Sequence, residues 1–491
     1  MMNIKSNYLP VLLLLTLVFS CVTPPWSGQA RAMTEKEEIE IGAEGHKAIL
    51  QKYRVYNNAG LQKYVNYVGN KLAEKGDRPH LKYSFLVLDS EEVNAFALPG
   101  GYIYITRGLM AYLNTEAELA AVLGHEIGHV TARHAARQES ASKMADLGTT
   151  LAAILGAMYV PGLDPNISKD LLDVGSGALL SGYGRDNELE ADQIGAQLLA
   201  RTGYDPQAMM DVIATLKDQE SYEFKLARLE DRKPHVYHGL FASHPDNDTR
   251  LKEVIGLADK LRTDEPVYQG RDAYLNLING LSYGQDVRMG LVINQGLYHG
   301  PLGYAMLFPK RWQIDTHSNT IQSYPESRFA LLQVNYFTAD PRLSPRDFMV
   351  KKLGITGLRN EQSLTINRLP AHTGQAVINT PYGRRLARIA LIYYGRRAYM
   401  LTGTTKDTRG LTRYDNEFME TIQSFRPMNR AERMAARQLR IRVIRPDEDT
   451  TYESLAANSP LEHLAEEQLR LINNDYPNGG MESGEVIKII Q

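Results

Sequence analysis

The sequence predicts an α+β protein: a mainly helical domain with a small sheet, then a mixed α/β domain and a small third unit. Three observations carry that expectation. Apolar residues recur at helical spacing from Ile39 and Ile41 to Tyr64, Val68 and Leu72, and helical patterning returns from Ala111 to Lys260 with breaks. Residues 83–88, 93–97 and 102–106 are short β-type runs, the last two separated by the turn signal Pro99-Gly100-Gly101. Beyond residue 270 the texture changes, as glycines at 270, 280, 284, 290, 296, 300 and 303 punctuate brief apolar runs such as 304–308 and 329–336.

The chain divides accordingly into a leader over 1–32, a first domain over 34–262, a mixed α/β domain over 270–427 and a terminal module over 438–491. Residues 147–163 are uncharged, but their glycines, threonines and Pro161 predict a buried helix and loop, not a membrane span. The stretch 428–442 carries arginines at helical spacing and predicts a solvated helix face.

Composition excludes several classes of function. With 43% hydrophobic and 23% charged residues and a net charge of -2, the 491-residue chain is neither globally disordered nor a polyelectrolyte ligand for nucleic acid. A mean hydropathy of -0.34 argues against a bundle of spans. The single cysteine, Cys21, rules out an intramolecular disulfide and any Cys-rich metal cluster, so a bound metal must be held by histidines and carboxylates.

Lys5 followed by the apolar run 11–19 has the layout of a secretory signal, too short for a permanent anchor. Residues Val18-Phe19-Ser20-Cys21 resemble a bacterial lipoprotein box, in which the Cys21 thiol is acylated; Val22 after it resembles the outer-membrane sorting pattern. The alternative is ordinary cleavage after Ala30-Arg31-Ala32, which leaves a soluble periplasmic protein. Either way the chain is expected outside the cytoplasm.

The strongest chemical signal is His125-Glu126-Ile127-Gly128-His129 in a helical context. Histidines four apart differ by about 40° around a helix axis, so both imidazoles can meet one ion, while Glu126 points about 100° away and is placed to take a proton from an attacking water. Two neutral imidazoles leave a divalent ion short of ligands and of negative charge, and Glu188-Leu189-Glu190-Ala191-Asp192 supplies candidates, with Glu188 and Asp192 on one helix face and Glu190 pointing elsewhere. His134, about 140° off the ligand face, is expected to pack or to hydrogen-bond structurally. His235 and His238 are expected in an exposed loop.

These motifs, with Arg133-His134 and residues 185–192, resemble the zinc metallopeptidase family that includes HtpX, the CAAX prenyl endopeptidases and periplasmic BepA, over residues 35–255; without spans, the chain is similar to the soluble BepA-like branch. The resemblance implies a gluzincin-type zincin domain binding one Zn2+ per chain through His125, His129 and Glu188, with Glu126 catalytic. It further implies that Asp192, Arg185 and Arg250 support the ligands from behind, and that His244, in Ser243-His244-Pro245, acts catalytically as an oxyanion stabiliser or as a reversible extra ligand. Residues 94–101 look like the family's edge hairpin, and Tyr102, Ile103 and Tyr104 are expected to bind substrate as an unpaired edge strand. Residues 443–490 resemble a LysM module, departing from it at Asp449-Thr450, which implies a small fold ordered strand, helix, helix, strand (βααβ), and residues around 303–312 resemble PsbP/Mog1-type domains.

The expected function is exported zinc-dependent endopeptidase activity in envelope quality control. Expected partners are unfolded or misassembled envelope proteins, with peptidoglycan or the outer-membrane assembly machinery, and the membrane through the N-terminal lipid. A chaperone or assembly factor on a peptidase scaffold is the alternative.

Overall fold

The computed structural model describes residues 33–137, 184–231, 234, 250, 253–256, 260–261, 266–317, 320–407, 410–461, 463–482 and 484–491. Cys21, residues 147–163, His235, His238 and the segment carrying His244 lie outside the described residues.

Helix α1 (Glu35–Lys52) opens with a capping box, in which the Thr34 side chain accepts from Glu37 N and the Glu37 side chain accepts from Thr34 N. Asn58 caps α2 (Ala59–Ala73) in the simpler way, accepting from Leu61 N. Strands β1 (Ser84–Leu88), β2 (Ala95–Leu98) and β3 (Tyr102–Thr106) form a sheet of order β1-β3-β2, with β1 parallel and β2 antiparallel to β3. Gly100 and Gly101 make the tight β2–β3 turn at φ 78° and 97°, a region open to glycine.

After the short α3 (Arg107–Met110), Thr115 caps α4 (Glu116–Thr131), accepting from Glu118 N at 3.0 Å. Residues 116–130 of α4 are all buried, because α2, β2, α5 (Arg185–Thr202) and α6 (Ala208–Leu229) pack around it. Among the described residues no helix is long and apolar enough to cross a membrane.

Helix α7 (Arg271–Ile278) and β4 (Ser282–Tyr283) lead into the middle of the chain. There β5 (Leu291–Ile293), β6 (Gly296–His299), β7 (Tyr304–Leu307) and β8 (Trp312–His317) are followed by β9 (Thr320–Pro325) and β10 (Ala330–Thr338). Helix α8 (Pro345–Lys351), strands β11 (Arg359–Ile366), β12 (Leu369–Thr380), β13 (Gly383–Tyr394) and β14 (Arg397–Thr405), helix α9 (Gly410–Ser424) and β15 (Arg426–Pro427) complete it. The strands form a seven-stranded sheet, β11-β12-β13-β14-β10-β9-β8, and a four-stranded one, β15-β7-β6-β5. Helix α9 buries Phe418 and Ile422 against them.

The arginine-rich stretch corrects a sequence expectation. It is helical only over α10 (Arg430–Ala435); Arg440 and Arg442 lie on strand β16 (Leu439–Ile444), where β-branched Ile441, Val443 and Ile444 pair with β17 (Ile487–Ile490). Helices α11 (Tyr452–Ala456) and α12 (Ala465–Ile472) fall between these strands, and β4 joins them to make the sheet β17-β16-β4. One apolar core runs through both ends of the chain: Ile441, Tyr452, Leu469, Leu471, Ile472 and Ile490 are in it with Leu61, Leu72, Leu119, Leu123 and Met209.

Candidate metal centre

The centre is built by α4 and α5, which approach closely because small residues face each other. A Cβ added at Gly128 would stand 2.8 Å from the Ala191 carbonyl oxygen, and one added at Gly195 would stand 3.0 Å from His125 N. The first is closer than real Cβ atoms come and the second is tighter than most of them, so the crossing needs glycine at 128 and leaves little room at 195.

That crossing brings three ligand groups together. His125 Nε2 and His129 Nε2 are 3.0 Å apart, Glu188 Oε2 is 3.5 Å from His125 Nε2, and Glu188 Oε1 is 3.4 Å from His129 Nε2. All three residues are buried and can hold a metal ion. Tetrahedral coordination with ligand bonds of about 2.1 Å places ligand atoms about 3.4 Å apart. Two imidazoles and one carboxylate at these distances therefore fit a divalent ion, with a fourth position left for solvent or substrate.

The far side of each ring is held. Asp192 Oδ1 lies 2.7 Å from His125 Nδ1, and Arg250 grips the same carboxylate through Nε at 2.8 Å and Nη2 at 2.7 Å. Arg250 Nη1 is also 3.5 Å from Glu188 Oε2. Burial disfavours a proton on His125, but the Asp192 and Glu188 carboxylates outweigh it and raise its pKa to about 9, the mark of a site that attracts cations. Burial likewise opposes ionisation of Asp192, and Arg250 and His125 overcome it, holding that carboxyl well below its ordinary range.

His129 is held by a partner that helical geometry conceals. Helix α4 ends at Thr131, Arg133 turns through φ 56°, and His134 swings back so that its Nδ1 is 2.7 Å from His129 Nδ1. Burial lowers the His134 pKa to about 4, so it is neutral. The bonding pattern then assigns the protons: His125 Nδ1–H donates to Asp192, His129 Nδ1–H donates to His134, and His134 Nε2–H donates to Glu190 Oε2 at 3.2 Å. With a metal in place of the second His125 proton, both ligand rings would turn an Nε2 lone pair toward the ion.

Glu126 is buried on α4 beside His125, as its place in the motif requires. Two expectations are corrected. Strand β3 is the centre of its sheet and not an edge, so its backbone is committed on both sides. Tyr102 stacks on His46 of α1 at 4.8 Å, Ile103 is fully buried in the core, and the Tyr104 hydroxyl lies 2.7 Å from His46 Nδ1. The outer strand on that side is β2, which packs on α4. Arg185 also departs from expectation: at the exposed start of α5 its side chain is 60% accessible, and its ion-pair neighbour is Asp186, at 3.9 Å.

Sequence reasoning missed the glycine crossing and the His134–Glu190 relay. The first left a signal in Gly124, Gly128, Ala191 and Gly195, small residues four apart on each of two helices. The second left none, since it depends on where α4 stops.

A buried His-His-Glu cluster with a neighbouring glutamate, on two helices held at glycine distance, is an arrangement suited to metal-assisted hydrolysis. Residues 60–258 match the model of Peptidase family M48. It is 32% identical over 206 residues to the Beta-barrel assembly-enhancing protease of Yersinia pestis, across 41% of this chain and 40% of that protein. It is 37% identical to the Mitochondrial metalloendopeptidase OMA1 of Arabidopsis thaliana, across 39% of this chain and 40% of that one. The chain thus spans less than half the length of these relatives. A solution structure of cyanobacterial PsbP (CyanoP) from Synechocystis sp. PCC 6803 is similar to 28% of this chain and 96% of that one, at 13% identity and a TM-score of 0.22.

Proposed function

We propose that this chain is an exported, zinc-dependent metalloendopeptidase of cell-envelope quality control, hydrolysing peptide bonds in unfolded or misassembled envelope proteins. The observation that supports it most is the convergence of His125, His129 and Glu188, with Glu126 one residue from the first ligand. Zinc suits two imidazoles and a carboxylate in a tetrahedral arrangement, in a chain whose one cysteine is far from the motif. When bound, the ion supplies Lewis acidity for the scissile carbonyl and brings the pKa of water toward 7.

The chain's own residues do the rest. Glu126 takes the proton of the attacking water and delivers it to the leaving amine. Asp192 and His134 keep the ligand rings oriented, and Arg250 keeps Asp192 ionised. His244 stabilises the developing oxyanion or closes the site as an extra ligand. An extended substrate adds to the outer edge of β2, the strand beside α4. Acylation of Cys21 fixes the protein to the periplasmic face of the outer membrane. The proteases named for β-barrel assembly among its relatives support an envelope substrate.

Metal analysis and hydrolysis of an unfolded protein by the purified chain test this reading. We expect one zinc per chain, loss of hydrolysis on chelation with recovery on added zinc, and a fall of about 10²-fold or more in Glu126→Gln with the metal retained. Hydrolysis at the wild-type rate by Glu126→Gln overturns it, and tight binding of unfolded protein with no cleavage replaces it with an assembly factor.

A further inference from the structure

Among the described residues, the hydrogen bonds that span most of the sequence end in the loop before α4. Lys488 of β17 is fully buried, and its Nζ donates to the carbonyls of Ala111 at 2.9 Å and Leu113 at 2.7 Å, in the loop that delivers the chain to the Thr115 cap of α4. Its backbone is held by Asn473, which accepts from Lys488 N at 2.8 Å and donates to Lys488 O at 2.9 Å. Asn474 bridges Thr215 Oγ1 of α6 at 3.0 Å and Glu118 Oε1 of α4 at 3.3 Å, and Gln468 donates to the Tyr112 hydroxyl at 3.3 Å. Glu118 in turn accepts from Asn114 N at 2.7 Å, so the same loop is tied from both ends.

Burying a lysine amine is costly whether it keeps its proton or gives it up, and an apolar side chain of similar volume often serves stability as well or better. Stability alone therefore does not call for a lysine here. What the amine does that an apolar group cannot is donate to two loop carbonyls and fix them at a defined place, just before a rigid helix. His125 lies ten residues, about 15 Å, along that helix from its cap, so a shift at Leu113 moves the ligand rings relative to Glu188 on α5.

We propose that Lys488 is a positioning residue of the metal centre, and that residues 438–491 are a built-in part of the peptidase domain that sets its affinity for metal. This rests on His125, His129 and Glu188 holding zinc, and the test separates the two ideas. In the full-length protein, zinc affinity is measured by competition with a chromogenic chelator for wild type, Lys488→Met, Asn474→Gly and Phe418→Ala, with thermal unfolding of each. Asn474 sits at φ 64°, which glycine adopts freely, so this variant removes only the side-chain bridge. Phe418, buried in the core of the middle sheet, controls for destabilisation as such. We expect Lys488→Met to bind zinc about tenfold more weakly, the lower end of what loss of support behind metal ligands causes. Asn474→Gly should weaken binding in the same direction by a smaller factor, and Phe418→Ala should lose stability with no change in zinc affinity. If Lys488→Met does not fold, Asn474→Gly carries the test alone. Wild-type affinity in a folded Lys488→Met, in Asn474→Gly where it stands alone, or equal weakening in Phe418→Ala, overturns the proposal; a wild type that binds no zinc overturns the site itself.

Discussion

Residues 438–491 and the sheet before them are neighbours in sequence but differ in what they lean on. The β8–β14 sheet closes its own cores, Trp312, Leu332, Tyr399, Phe418 and Phe425 on one face and Phe348, Met349, Ile389 and Leu391 on the other. The terminal strands and helices instead give Ile441, Leu469, Ile472 and Ile490 to the core that carries α4. Polar ties follow this division in part: Lys488, Asn474, Gln468 and Glu467 reach residues of the first domain, and so do Asp286 and Arg288 at the start of the excursion, which pair with Arg54 and Asp89. The segment farthest from the HExxH motif is thus bound to its helix, and the one between them is an excursion from β4 that returns at β16. Leu439 pairs with Tyr283, so the excursion leaves and re-enters at adjacent points.

This contrast is broken or sharpened most strongly by deletion. Ending the chain at Arg437 exposes the shared core and removes Lys488, and should yield a protein with neither a cooperative unfolding transition nor bound metal. Joining Gln285 to Gln438 through an Asn-Gly turn should leave a folded chain that still binds one metal ion, because Gln438 already donates to the carbonyls of Tyr283 at 2.8 Å and Gln285 at 3.2 Å. Calorimetry and metal analysis of the two deletions decide the matter; a stable, metal-loaded chain ending at Arg437 contradicts the contrast.

Gly128→Val comes next. Its methyl groups have only the Ala191 backbone to enter, so α5 must move away and take Glu188 with it. Overpacking of this kind costs about 1–3 kcal/mol, and metal binding should be lost in a protein that still unfolds cooperatively. Retention of the metal would show that α5 rotates in place without withdrawing its carboxylate. Phe418→Ala should have the opposite signature. Truncating a buried phenylalanine costs about 3–5 kcal/mol, here charged to the middle sheet, while the metal stoichiometry stays at one.

What the sequence disclosed follows from the range of each interaction. The two histidines were legible because helical periodicity places His125 with His129, and chemistry required a carboxylate beside them; the choice of Glu188 over Asp192, which share a face, came from the family resemblance. The α+β class was legible from the same periodicities. Three features were not. Strand order is a long-range property, so residues 102–106 carried the right secondary structure and the wrong neighbours. His134 was beyond reach because a single left-handed residue, Arg133, decides whether the helix continues. Lys488 looks like one more polar position on a terminal strand, and only the packing of β17 against the loop before α4 shows that its amine is buried.

The smallest effect is expected at Arg185, and it separates likeness of motif from likeness of geometry. Its position three residues before Glu188 placed it behind the metal centre by resemblance, yet Asp192 is gripped by Arg250 and the guanidinium of Arg185 lies in solvent near Asp186. An exposed pair of this kind contributes about 0–1 kcal/mol. Arg185→Ala should therefore keep zinc affinity within about twofold of wild type, whereas Arg250→Ala, which leaves a buried carboxylate without its cation, should weaken it by about 10–100-fold. Chelator competition on both variants under one buffer compares them directly. A loss at Arg185 comparable to that at Arg250 would mean that the start of α5 folds inward when metal and substrate are bound, and would restore the sequence expectation for a state other than the one described by these side chains.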